Sequence, residues 1–442
     1  MNRSLTLWLL AGVALTALAA CTVGPDYKRP SAPIAPAYKE IDGWKPATPR
    51  NAASGQPWWS IYNDAVLDGL EQQIDISNQT LKANEAAYRE AQAIVEEAEA
   101  GFFPTVGLSS SATRGGGGPG LGKSAGSGAF AGSNSSGARG GGGFAQNTFT
   151  ATAQASWVPD IWGSVRRTVE RDVANAQASA ADLAAARLSA QATLASDYFQ
   201  LRVEDELAQL LSDEVAAFGR SLQITQNRYK VGTAAKTDVE SAIAQLENAR
   251  AQQVATGIQR AEFEHAIAVL VGKPPAEFSL APAKLPAEIP VTPPDLPSEL
   301  LERNPTIAAN ERAMAAANAN IGVAIAGYFP TFTFNASYGQ QSNLLHTLFN
   351  AANSVWSFGL SNVNLPLFNG GLTAAQVSAA RAAYDQTVAT YRQSVLAAFQ
   401  QVEDELAASR ILEAQAAVQD RAVAAAREAE QLALNQYRAG TV

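Results

Sequence analysis

An internal duplication constrains this chain more than any other feature. Gly327 to Gly339, GYFPTFTFNASYG, replays Gly101 to Ala112, GFFPTVGLSSSA. At the constant offset that separates Pro104 from Pro330, Asn84, Glu85, Ala87, Ala91 and Ala100 return as Asn310, Glu311, Ala313, Ala317 and Ala326. Gly101, Phe103 and Thr105 return as Gly327, Phe329 and Thr331. Identity at so many fixed positions marks two copies of one structural unit. Each copy switches from a helical to an alternating pattern at an aromatic-proline pair. Proline cannot continue a helix but can open a strand.

The alternation is two-faced. Pro330, Phe332, Phe334, Ala336 and Tyr338 share one parity; Thr331, Thr333, Asn335, Ser337 and Gly339 share the other. Residues 144 to 158 behave alike, with Ala145, Phe149, Ala151, Ala153, Ala155 and Trp157 opposite Gln146, Thr148, Thr150, Thr152, Gln154 and Ser156. Strands are therefore expected at 103–113, 144–158, 328–341 and 354–367. A bulge is expected near Ser361 to Val363, where the apolar parity changes. Their lengths and their neutral polar faces suit tilted barrel strands around a watery lumen. A half-buried strand in a soluble sandwich is the plainer reading.

Helical pattern fills most of the rest. It begins at Trp58, with Ile61, Ala65, Leu67 and Leu70 near one face and Trp58-Trp59 as packing anchors, and resumes from about Gln79 to Ala100. After Pro159-Asp160 an alanine-rich pattern runs to about Lys230, roughly 100 Å of helix at 1.5 Å per residue. A second rod spans Lys236 to Val271, and Gly232 stands at the helix end where glycine is favoured. Pro366 mirrors Pro159, and a helix starts after Leu296-Pro297-Ser298. The junction prolines are thus Pro104, Pro159, Pro330 and Pro366. The second copy stops at Asn435 to Val442, a repeat of the Tyr229–Thr233 tip, and is expected to lack its last helix.

Composition narrows the chemistry. A net charge of −9 argues against nucleic acid. Two His and two Met offer little for metal or redox sites, so neither a metal nor a cofactor is expected. His265 in a helical pattern and His346 in a hairpin loop have no partnered nucleophile, which disfavours a periplasmic hydrolase. Gly117, Gly122, Lys123 and Ser124 match a phosphate-binding loop, but the following AGSGAFAGSNSSG cannot supply the helix that such a loop requires. The acidic run Val203 to Ala208 recurs at Val402 to Ala407 and reads as a solvated helix face. The single cysteine, Cys21, closes an apolar segment through Leu18-Ala19-Ala20 and resembles a bacterial lipoprotein signal. Residues 1–20 would be removed and Cys21 lipidated, tethering the chain to a membrane surface. Thr22 is compatible with the outer membrane.

Together these residues resemble the outer-membrane factor family of TolC- and OprM-like channels, in its NodT-type lipoprotein branch. The likeness rests on Cys21-Thr22-Val23-Gly24-Pro25-Asp26-Tyr27-Lys28-Arg29-Pro30, on Trp58-Trp59, and on the two Phe-Pro-Thr junctions. Asn318-Ala319-Asn320-Ile321-Gly322-Val323-Ala324 and the two Tyr-x-x-Gly-Thr tips complete it. Asn304-Pro305-Thr306 departs from the family, where an acidic residue commonly follows the proline. The resemblance implies an α+β membrane protein: two helix–hairpin–helix repeats, 58–272 and 298–442, giving four strands per subunit. An extended segment 21–57 and a proline-rich linker 273–297 flank the first repeat. Three subunits would close a twelve-stranded outer-membrane barrel continued by a periplasmic helical tunnel. It further implies a passive exit duct for small molecules, working with a periplasmic adaptor and an inner-membrane RND-type transporter. By resemblance Tyr229, Gly232, Thr233 and Asp238 form one periplasmic tip, and Tyr437, Gly440 and Thr441 the other. The channel of a protein-secretion system and a non-conducting lipoprotein tether are the alternatives.

Overall fold

The computed structural model describes residues 22–31, 57–116, 145–286 and 303–438. In chain order these form α1 (Ala65–Ser77), α2 (Gln79–Ala100), β1 (Thr105–Gly116), β2 (Ala145–Trp157), α3 (Ser164–Lys230), α4 (Lys236–Leu270), α5 (Pro305–Ala326), β3 (Thr331–Ser342), β4 (Ser354–Asn364) and α6 (Leu372–Arg438). Cys21, Gly440, Thr441 and the glycine-rich Gly117–Ser124 motif lie outside the described residues, as does the side chain of Tyr437.

The duplication is visible in how each copy handles its helix ends. Asn78 and Asn304 occupy equivalent positions and interrupt the helical pattern in the same way. The Asn78 carboxamide oxygen accepts from the Leu81 N–H at 3.0 Å, and that of Asn304 from the Thr306 N–H at 2.9 Å. Each caps the helix that follows. The helix expected to run on from Ser298 is therefore broken at Asn304, and Pro305 takes a first-turn position where its missing N–H costs nothing. At the other end both helices tighten into three successive i→i+3 bonds, Gly101 to Ala98 through Phe103 to Ala100, and Gly327 to Ala324 through Phe329 to Ala326. That last turn absorbs the aromatic residues. The strands consequently open at Thr105 and Thr331, two and three residues later than expected.

Contacts group the described residues into two compact units, each drawing on both copies. The first holds the four strands, the adjoining helix ends and residues 22–27. Its sheet is antiparallel in the order β1-β2-β3-β4. Pairing steps from Thr333↔Asn362 to Phe334↔Leu360, which leaves Ser361 as the extra residue of the expected bulge.

The second unit is helical. Its core gathers Leu67, Leu70, Ile74, Leu81, Leu194, Tyr198, Leu201 and Ile267 from α1 to α4, with Trp59 just before α1 and Val271 just after α4. Burial of each large side chain contributes about 1.5–3 kcal/mol. The chain at Trp58 forms a 3-10 turn, Trp58–Tyr62, which ends at left-handed Asn63. Asp64 then caps α1 through the Val66 and Leu67 N–H groups. This break rotates Ile61 and Ala65 away from the core, contrary to the single helical face expected, while Trp59 is buried as an anchor.

The first acidic run also departs from expectation. Asp205 is not on a solvated face: its side chain is 4% exposed and bridges Arg202 at 2.9 Å and Arg260 at 2.7 Å. The same arginines hold the carbonyls of Ala281 and Leu280, so the network clips the segment after α4 onto α3 and α4. In the second copy Gln401 stands where Arg202 does, and Asp404 is exposed as expected.

Glu71 lies inside the helical core, fully buried, and neither carboxylate oxygen has a partner. Burial, assisted by nearby Asp75, pushes its carboxyl from 4.5 to about 8. The folded state therefore holds a proton that the unfolded chain releases above pH 4.5. Stability is highest below that value and falls as pH rises towards 8, by a few kcal/mol in all. Glu71→Gln is expected to flatten this dependence, and Glu71→Leu to raise stability at pH 8. Unfolding midpoints of the two variants and the parent at pH 5 and 8.5 provide the check.

Candidate functional site

Residues paired across an antiparallel ladder point to the same side, so the registers assign every strand side chain to a face. One face carries Val106, Leu108 and Ala112 from β1 and Phe149, Ala151, Ala153, Ala155 and Trp157 from β2. It continues with Phe334, Ala336 and Tyr338 of β3 and with Trp356, Phe358 and Leu360 of β4. Leu108 is 83% exposed, Phe358 80% and Trp356 75%. A contiguous apolar surface of this extent marks a contact with lipid or another protein.

The opposite face of the four strands is polar and uncharged. Ser109 pairs its hydroxyl with that of Thr152 at 3.0 Å, Ser111 with Thr150 at 2.7 Å, and Ser337 with Ser357 at 2.8 Å. Gln154, Asn335 and Gln341 share this side by register. Arg114, near the distal end of β1, is the one charged side chain in the four strands, and its pairing with Asn147 places it on the apolar side, beyond Ala112. Within the chain β1 and β4 are edge strands, each presenting unpaired backbone groups.

The four junction prolines flank these strands, and two of their corners meet. Asp160, just past Pro159, caps α3 by accepting the Val165 and Arg166 N–H groups at 2.9 and 3.0 Å, and pairs with the Arg166 side chain. Trp162 donates its indole N–H to the Pro330 carbonyl at 2.7 Å and stacks on Phe329 at 4.8 Å. Pro104 and Pro366 stand at the outer strands. Sequence reasoning missed Trp162. Its place three residues after Pro159 was legible, but its partner lies in the other copy and only the fold brings them together.

At the α3–α4 connection, Tyr229, Gly232, Thr233 and Asp238 fall in one exposed turn. The Gly232 N–H reaches the Tyr229 carbonyl, and the Thr233 N–H and hydroxyl both reach that of Arg228. Gly232 has φ +80°, the left-handed helix-terminal conformation that glycine adopts without strain. The Asp238 carboxylate accepts the Ala235 N–H at 2.9 Å and so starts α4. Val231, 74% exposed, and Tyr229, 47% exposed, project from the tip.

Among the described residues no group of three or more His, Cys, Asp or Glu could hold a metal ion, and no helix is long and apolar enough to cross a membrane. His265 lies on α4, and His346 in the β3–β4 connection.

A family model described as outer membrane efflux protein matches residues 70–273 and 296–442. The probable efflux pump outer membrane protein TtgC of Pseudomonas putida is 29% identical over 439 residues, spanning 98% of this chain and 87% of TtgC. Outer membrane protein OprJ of Pseudomonas aeruginosa is 29% identical over 435 residues, 97% of this chain and 86% of OprJ. Among solved structures, the outer-membrane channel OprN superposes with a TM-score of 0.81 at 28% identity, covering 96% of this chain and 90% of that one.

Gly232→Ala is expected to strain the tip by about 1–2 kcal/mol, because a Cβ enters the left-handed region. Asp238→Ala is expected to cost α4 about 1 kcal/mol at its start. Hydrogen exchange should rise at residues 232 and 233 in the first variant and at Ala235 in the second, with the sheet unchanged.

Proposed function

The chain belongs to the outer membrane efflux protein family, and from that premise we propose that three copies assemble into the exit duct of a tripartite efflux pump. The observation that carries this reading is the two-faced sheet with free edges. In lipid every backbone polar group needs a partner within protein, so an open four-stranded sheet is not tolerated. Pooling the strands of three subunits closes a twelve-stranded barrel. The apolar face then meets hydrocarbon, and the Ser, Thr, Asn and Gln face lines a watery lumen.

Such a wall exports passively. Its groups are neutral hydrogen-bonding side chains, suited to holding water rather than to selecting one solute or performing covalent chemistry. Small molecules delivered by an inner-membrane RND-type transporter are the cargo this reading assigns. The exposed turn bearing Tyr229, Gly232, Thr233 and Asp238 is the surface offered to a periplasmic adaptor, with Tyr437, Gly440 and Thr441 as its counterpart. Asp238 contributes by setting the start of α4. Exposed Ile411, Leu412, Val418 and Leu432 on α6 give the helical part apolar surface for neighbouring subunits. Lipid on Cys21 anchors the amino terminus to the outer membrane.

Conductance across a planar bilayer, together with an oligomer that survives detergent, is expected of the purified protein. A detergent-soluble monomer without conductance would refute the barrel. Within the sheet, Leu108→Lys is expected to cost about 2–4 kcal/mol of membrane insertion. Ser109→Lys, one residue along on the polar face, is expected to insert normally and to alter ion selectivity. Equal effects at the two positions would contradict the assignment of faces.

A further inference from the structure

Residues 22–26 run as an extended strap across the helices that adjoin the two central strands. The Val23 N–H donates to the Trp162 carbonyl at 3.1 Å, and Asn318 donates its carboxamide N–H to the Pro25 carbonyl at 2.9 Å. Arg167, whose side chain is 5% exposed, reaches the Val23 carbonyl at 3.2 Å, the Gly24 carbonyl at 3.3 Å and the Asp26 carboxylate at 2.8 Å. Its other amino group pairs with Glu170 at 2.7 Å. The fit leaves no spare room. Gly24 has φ +101°, and a Cβ there would lie 2.5 Å from the Gly322 Cα. A Cβ on Gly322 would lie 2.9 Å from the Arg167 Cγ and 3.0 Å from the Val23 oxygen.

Two consequences follow from the chemistry. A buried guanidinium needs its donors satisfied, and the strap supplies three of these four acceptors. An empty seat would leave Glu170 as the only one of these partners and the other guanidinium donors to water. The seat also has two owners. Arg167 is carried on α3 by the first copy, whereas Asn318 and Gly322 are carried on α5 by the second. The strands next to those helices, β2 and β3, pair from Phe149↔Ser342 to Trp157↔Phe334 and join the copies in the sheet.

We propose that Arg167 and Gly322 form a binding seat for the chain's own peptide Val23-Gly24-Pro25-Asp26, and that seating this strap holds α3 and α5 in register next to the β2–β3 pair. Arg167 is a positioning residue: it acts by ordering two copies around a third segment. The inference stands apart from the channel reading, because it concerns how one subunit is closed.

Limited trypsin digestion of the full chain in detergent tests it, with cleavage after exposed Lys28 reporting release of the strap. Arg167→Met and Gly322→Ala are expected to speed that cleavage about tenfold or more, Arg167→Lys to restore part of the protection, and Asp26→Asn to give an intermediate rate. Cleavage after Arg250 on α4 should not change. Asp26→Asn and Arg167→Lys carry the test if the other two variants do not accumulate, since the first alters one exposed partner of Arg167 and the second keeps its positive charge while giving up the fork that reaches several acceptors. Unchanged protection at Lys28 would overturn the proposal. So would acceleration at Lys28 and Arg250 alike, which would indicate general loosening.

Discussion

Unpaired backbone groups at the two outer strands are the constraint on which the rest of the architecture depends. A strand in water can leave its edge to the solvent, but in hydrocarbon each orphaned N–H or C=O costs several kcal/mol. The described residues supply four strands, all antiparallel, with β1 and β4 at the edges. Closure must come from other copies, and the polar and apolar faces decide which way the closed sheet turns. Removal of strand charge, apart from Arg114 at a strand end, follows from the same requirement.

Duplication provides the four strands economically, yet the copies are not interchangeable. Asn78 and Asn304 cap their helices alike, and the aromatic-proline corners close with the same bonds. Elsewhere they diverge according to what packs against them. Asp205 became the centre of a buried network because Arg202 and Arg260 face it, whereas its counterpart Asp404 has Gln401 in place of Arg202 and lies in solvent. At the second corner Trp162 binds across copies to Pro330. Equal sequence at the helix termini thus coexists with unequal chemistry along the rods.

Polar groups buried in the helices and around the corner are local anchors of different kinds. Arg167 is satisfied by the strap, and Asp205 by two arginines and the Ala283 backbone N–H. Glu71 has no partner and is carried as a neutral acid instead. The first two define which segment must lie where. The third weakens the core as pH rises, since losing its proton would strand a charge among Leu67, Ile74 and their neighbours.

Much of this was legible in the residues themselves. Period-two alternation placed both faces of the two central strands, prolines and glycines marked the corners and the tip, and the parity change near Ser361 announced the bulge. These are local rules, written by neighbouring residues, so a single sequence suffices to read them. What the sequence could not disclose were pairings between distant positions. The seating of Gly24 against Gly322, the reach of Arg167 to the strap and the burial of Asp205 depend on which helices come together. The break at Asn63, which turned Ile61 and Ala65 outward, was a local signal too weak to outweigh the helical pattern around it. Local chemistry determined the elements and their faces; tertiary packing decided which polar side chains were buried, because only packing removes water from one arginine or carboxylate and leaves it on the next.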